Sequence, residues 1–287
     1  MPTPQTGILA PLPPLARSLF FALNPATDPR PALQALAAIT DGSRLVIGIG
    51  PTLATALNAD IAGLHPLEPI TAHGLSIPST PRALWCWLRG TDRGELLNHS
   101  RQIEALLSPA FRLEQTLDTF LHRHGRDLTG YEDGTENPEG DAAVTTAFTS
   151  TGTSLVAIQQ WTHDFSAFDA LSSDEQDNIV GRRRDDNEEL DDAPASAHVK
   201  RTAQEGFAPE AFVWRRSMSW AEGQNGGLLF AAFGHSLRAF EVQMRRMAGL
   251  DDGIIDGLFR ISQPVTGDSF WCPAIRNSHP DLSPLGL

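Results

Sequence analysis

Residues 83–107 read ALWCWLRGTDRGELLNHSRQIEALL. The run Ala83–Leu88 is short and apolar throughout, the pattern of a strand buried on both faces. After RGTDRG the period changes. Leu96, Leu97, Ile103, Leu106 and Leu107 fall largely on one face of a helix over Glu95–Leu107. The same order returns at 227–249. Gly227–Phe233 (GLLFAAF) reads as a strand, and GHSLRAFEVQMRRMAG follows it, with Leu237, Phe240, Met244 and Met247 at helical spacing and Gly249 as the stop.

Working outward, each of these units is preceded by another strand and helix. Ser18–Leu23 (SLFFAL) comes before a helix over Arg30–Ile39, and Ser154–Gln160 (SLVAIQQ) before one over Phe165–Leu171. A third strand is expected at Arg44–Ile49 in the first half and at Ala211–Arg215 in the second. The repeated order predicts an α+β fold of two ferredoxin-like halves, each an antiparallel sheet with helices on one face. The expected division is 1–126 and 154–287, with 127–153 linking them.

A chain of 287 residues with 41% hydrophobic and 20% charged residues has an ordinary globular balance. Lys and Arg number 22 against 35 Asp and Glu, a formal charge of −13. Such a field repels nucleic acid and anionic membrane surfaces, so neutral or cationic small substrates are expected. No apolar run is long enough to span a bilayer. The start, MPTPQTGILAPLPPLARSLFF, lacks the basic and apolar regions of a secretion signal, so a Pro-rich arm and a cytoplasmic location are expected. Cys86 and Cys272 stand in strand contexts with no CxxC spacing and read as buried thiols.

The linking stretch holds GYEDGTENP, residues 130–138, rich in turn formers and acids. As a calcium loop it fails: counted from Asp133, the glycine position is taken by Pro138. Phosphate-cradle and nucleophile-elbow patterns are absent. None of the nine histidines pairs with another at metal-binding spacing, and His65 and His163 are among those read as lacking partners. His122 and His124, in LHRHGR, are expected at a solvent-facing helix end. A charged loop, Arg182–Ala197, ends at AHVKR and brings His198 forward.

Taken in order, GYEDGTENP (130–138), NEELDDAPASAHVKR (187–201), FVWRRSM (212–218) and PVTGDSFWCPA (264–274) resemble the dye-decolourising peroxidase family, and the short chain resembles its B-type subgroup. The resemblance covers nearly the whole chain, more weakly before about residue 80. It implies a haem b peroxidase with the haem in the C-terminal half. Such an enzyme reduces hydrogen peroxide through a ferryl intermediate and oxidises dyes, phenols or other small aromatic one-electron donors. It also implies a homo-oligomer. The tail RNSHPDLSPLGL is expected to be a frayed end, with docking to a shell protein as the less favoured reading. A haem-binding protein for storage or iron handling is the alternative, and a chlorite-dismutase-like enzyme, which would not need Asp133, a third reading.

Residue by residue, the GxxDG pattern falls on Gly130–Gly134 and makes Asp133 the haem-facing acid. The proximal pattern falls on Ala197–Arg201 and makes His198 the axial ligand of the iron. Asp256 is its expected carboxylate partner, with Asp251 and Asp252 as competitors. Arg215 takes the distal arginine position. Alternation along FVWRR favours it over Arg216, which falls on the other face with Phe212 and Trp214. Ser217 is expected to hold a distal water and Arg182 to meet the haem propionates. Phe230, Phe233, Leu258 and Phe259 are expected as apolar lining, with ordinary core packing an equal reading for each. The chemistry itself asks for this set: a hydrogen-bonded imidazole under the iron, an acid to move a proton, and a cation to stabilise developing charge. Whether Asp133 or Arg215 matters more stays open.

Overall fold

The computed structural model describes residues 2–287. Ten strands form one ladder. They are β1 (Leu15–Leu23), β2 (Leu45–Ile49), β3 (Leu84–Gly90), β4 (Phe111–Phe120), β5 (Ser154–His163), β6 (Trp214–Arg215), β7 (Met218–Glu222), β8 (Asn225–Gly234), β9 (Ser262–Pro264) and β10 (Asp268–Cys272). Their order is β9-β5-β10-β2-β3-β1-β4-β7-β8-β6, and a further pairing joins β8 to β5. Two four-stranded antiparallel sheets, β2-β3-β1-β4 and β7-β8-β5-β10, are therefore stitched edge to edge. The stitches are single residue pairs, Phe120 with Ser219 and Trp271 with Ile49.

Between the sheets lies an aromatic layer of Phe20, Trp85, Trp87, Phe233 and Phe270. Contacts cross from sheet to sheet: Phe20 and Phe270 are 6.3 Å apart, Trp85 and Phe233 6.2 Å. The strands read as unbroken apolar runs because both faces are covered. In β1, Phe20 faces this layer, while Leu19 and Phe21 face the helices. Phe233 belongs here, so of its two readings, cavity lining and core packing, the second is the one the fold realises. Trp85 is 1% exposed and donates its indole N–H to Ser18 Oγ at 3.2 Å. Trp85→Ala should cost about 3–5 kcal/mol of stability; an unchanged urea midpoint would show that the two sheets do not rely on this layer.

Helices cover the outer faces. The main ones are α1 (Arg30–Ile39), α2 (Arg93–Leu107), α3 (Ser173–Val180), α4 (His198–Arg201) and α5 (Arg238–Met247). α2 begins where Asp92 accepts from the Glu95 amide at 2.8 Å. It buries Leu96, Ile103 and Leu107, whereas Leu97 stays exposed. α5 buries Phe240, Met244 and Met247, and Gly249 beyond it has a φ of +71°.

Several details differ from expectation. The strand expected at Ala211–Arg215 shrinks to β6, because Gln204 holds the amides of Ala211 and Val213 through its backbone and side-chain oxygens. His122 and His124 follow a strand, β4, not a helix. The C-terminal tail is not frayed: Leu282 and Leu285 are buried in the core. Cys86 and Cys272 are free and fully buried, and burial pushes both thiols up. No helix among the described residues is long and apolar enough to cross a membrane.

Candidate active site

A cavity opens against β5, β8 and α5. All of its lining residues come from 127–262, the linking segment and C-terminal half. Its apolar wall includes Leu228 and Phe230 from β8, Met244 and Met247 from α5, and Leu258. Phe259, expected in this lining, instead stacks on Trp161 in the core.

His198 enters the cavity wall at the start of α4, after the fully buried Ala197. Its Nδ1 lies 2.8 Å from Asp256 Oδ2, whose side chain is wholly buried. The other oxygen of Asp256 accepts from the Leu258 amide at 2.8 Å. At this distance the carboxylate oxygen accepts a hydrogen bond from Nδ1–H and leaves Nε2 for a ligand. The competing acids are engaged elsewhere: Asp252 receives two hydrogen bonds at 2.7 Å from Arg201, and Asp251 one at 3.3 Å from Arg245.

Asp133 and Arg215 share the same cavity, with Arg215 Nη1 3.9 Å from Asp133 Oδ1. The loop before Asp133 turns through Gly130 at φ +94°, and Gly134 follows at φ +81°. Asn137, from the same motif, clamps the next element. Its Oδ1 accepts from the Arg215 amide at 2.8 Å, and its Nδ2 donates to the Arg215 carbonyl at 3.1 Å. The motif therefore sets Asp133 and fixes the backbone of Arg215 in one piece. Arg216 points away, donating to the carbonyls of Ile8 and Leu9.

Two expected residues stand apart from this cavity. Ser217 is buried beside a neighbouring one, with its hydroxyl unpartnered. Arg182 is outside the lining, its guanidinium paired with Glu136 at 2.6 Å and Glu189 at 3.1 Å.

The sequence reading missed a buried chain in the wall. His163 Nε2 lies 2.9 Å from Asp127 Oδ1, and its Nδ1 2.8 Å from Ser262 Oγ. Burial works against the charge of Asp127. The bond and charge of His163, with the hydroxyl and amide of Thr129, nevertheless hold its carboxyl below the usual range. His163 and Asp127 lie 36 residues apart, so only the alternation of His163 with Trp161 along β5 hinted at a cavity-facing histidine. His65, also read as unpartnered, lies 2.7 Å from Glu241.

The donor set suits haem. Among the described residues no three His, Cys, Asp or Glu gather as a metal site. His163 has both ring nitrogens engaged, so His198 is the one imidazole of the wall with a nitrogen to offer, which fits a cofactor that brings the remaining ligands to its own iron. Arg215 Nε is buried without a partner, a donor left for something in the cavity.

Comparison with known proteins agrees. A profile of the family described as "Dyp-type peroxidase, C-terminal" matches residues 124–277, more than half of the chain. The chain belongs to the Dyp-type peroxidase family. A dye-decolorizing peroxidase of Mycolicibacterium paratuberculosis is 29% identical over 262 residues, covering 86% of this chain and 71% of that protein. Another, of Brevibacterium linens, is 29% identical over 225 residues, and the match spans only 61% of its length. Among solved structures, DyPB from Rhodococcus jostii RHA1 superposes with a TM-score of 0.83 at 27% identity, covering 94% of this chain and 96% of that one. A variant of it, similar at a TM-score of 0.82, was solved in complex with heme. The likeness to DyPB agrees with the B-type subgroup, and the α+β fold is that of the family.

Proposed function

We propose that this protein is a haem b peroxidase that reduces hydrogen peroxide and oxidises dyes, phenols or other small one-electron donors. The observation that carries the reading is the joining, in one apolar-walled cavity, of a carboxylate-backed imidazole with an acid–arginine pair. His198 would hold the haem iron through Nε2, with Asp256 orienting the ring and raising its basicity. Bound haem supplies the electrons that cleave the O–O bond. Arg215 binds peroxide and stabilises the negative charge that grows on the leaving oxygen. Asp133 takes a proton from one peroxide oxygen, directly or through a water beside Ser217, and returns it to the other, which leaves as water. The apolar wall excludes bulk water. Arg182 reaches the haem propionates only by loosening its pairs with Glu136 and Glu189.

The test is the rate of peroxide consumption by haem-loaded protein against the same concentration of free haemin. Equal rates would leave haem storage or iron handling as the better reading. Asp256→Asn should keep haem but lower the peroxide rate about 10- to 100-fold, since the ring loses its acceptor; a wild-type rate would remove Asp256 from the mechanism.

A homo-oligomer, a cytoplasmic location and the halves 1–126 and 154–287 joined by 127–153 belong to the same proposal. Docking of the tail to a shell protein would require Leu282 and Leu285 to leave the core.

A further inference from the structure

A second cavity shares Asp133 and Arg215 with the first, so these two side chains stand between the spaces. Its remaining wall includes Leu12 from the N-terminal arm, His124, Asn137, Arg216 and Ser217. The charge here runs against the rest of the molecule. The chain carries −13 overall, yet this lining sets Arg215 and Arg216 against one carboxylate, Asp133.

Arg216 meets no carboxylate. Its Nε donates to the Ile8 carbonyl at 3.0 Å and one terminal nitrogen to the Leu9 carbonyl at 2.9 Å. Its guanidinium lies over the Trp214 ring at 4.0 Å. Burial, then the nearby charge of Arg89, pulls Arg216 down to about 10, so it stays cationic at neutral pH. Arg89 is itself held by the carbonyls of Ser43 and Pro11. Backbone carbonyls offset a guanidinium charge only in part, and a buried cation without a counter-charge is costly. Of the residues lining this cavity, Arg215 and Ser217 each carry a buried donor without a partner, Nε and Oγ. Cations in excess and unused donors define a site that lacks only an anion.

We propose that the second cavity binds a small monovalent anion, such as a halide, nitrate or short carboxylate, through Arg216, Arg215 and the Ser217 hydroxyl. The site rests on these residues alone. Because Arg215 belongs to both cavities, the bound anion also competes with peroxide for its guanidinium, and that consequence rests on the peroxidase reading.

The test uses the haem-loaded protein with nitrate, a poor iron ligand, titrated calorimetrically at constant ionic strength, and a bromide-soaked crystal. Bromide should give an anomalous peak within hydrogen-bond reach of Arg216. Arg216→Gln should weaken nitrate about tenfold, the loss of one charge at close range in a partly buried site. Asp133→Asn should tighten it. Arg216 also holds the N-terminal arm, so Leu12→Glu serves as a variant that keeps every arginine; it too should weaken nitrate. No bromide peak, or unchanged nitrate affinity in both Arg216→Gln and Leu12→Glu, overturns the site. In the active enzyme nitrate should raise KM for peroxide and leave kcat and the haem spectrum unchanged; an unmoved KM overturns the competition. A protein without peroxidase activity would sink that reading, while bromide and nitrate binding still decide the anion site.

Discussion

His198→Ala should yield a folded protein that no longer retains haem through gel filtration and has no peroxidase activity above free haemin. The side chain is one-quarter exposed and sits in the four-residue α4, so the fold does not hinge on its packing. The variant removes the proposed nitrogen ligand and strands Asp256, whose side chain has no exposure and keeps only the Leu258 amide. An orphaned buried acceptor costs about 1–3 kcal/mol, so a modest loss of stability should accompany the loss of haem. His198→Ala with Asp256→Leu should recover that stability without recovering haem, which separates the two effects. A His198→Ala protein with full haem and an unaltered spectrum would place the axial ligand elsewhere.

Arg215→Leu should keep haem, because the proximal side is untouched, and lower kcat/KM for peroxide about 10²- to 10³-fold, the range for losing a preorganised charge-stabilising donor. The backbone clamp by Asn137 survives, as it grips the amide and carbonyl and not the side chain. The loss should therefore reflect the guanidinium alone. Asp133→Asn gives the comparison left open above. A proton-shuttling role predicts a loss of about 10²- to 10⁴-fold that weak acids partly rescue. Near-wild-type kcat/KM in Arg215→Leu would exclude the arginine from peroxide cleavage.

Much of the fold was legible because its strands are covered on both faces and its helices on one. Apolar runs such as Ala83–Leu88 give way to the helical spacing of α2 and α5, and that change of period is written locally. β4 escaped notice because it alternates with exposed charged residues, and the length of β6 was decided by Gln204, a partner outside the strand. Of the proposed site, Asp133, His198 and Arg215 stand in recognisable local motifs. Asp127, His163 and Ser262 do not, since their hydrogen bonds join residues 36 and 99 positions apart.

By itself, the sequence determined the family, the recurring strand-to-helix order in each half, and the residue types a haem peroxidase needs, because each is carried by spacing along a short stretch. Tertiary structure decided which of three aspartates meets His198, how Arg182 is paired, and that Asn137 ties Asp133 and Arg215 together. It also placed two arginines where a single carboxylate faces them. These depend on distances and burial between segments far apart in the chain, quantities that no local pattern encodes.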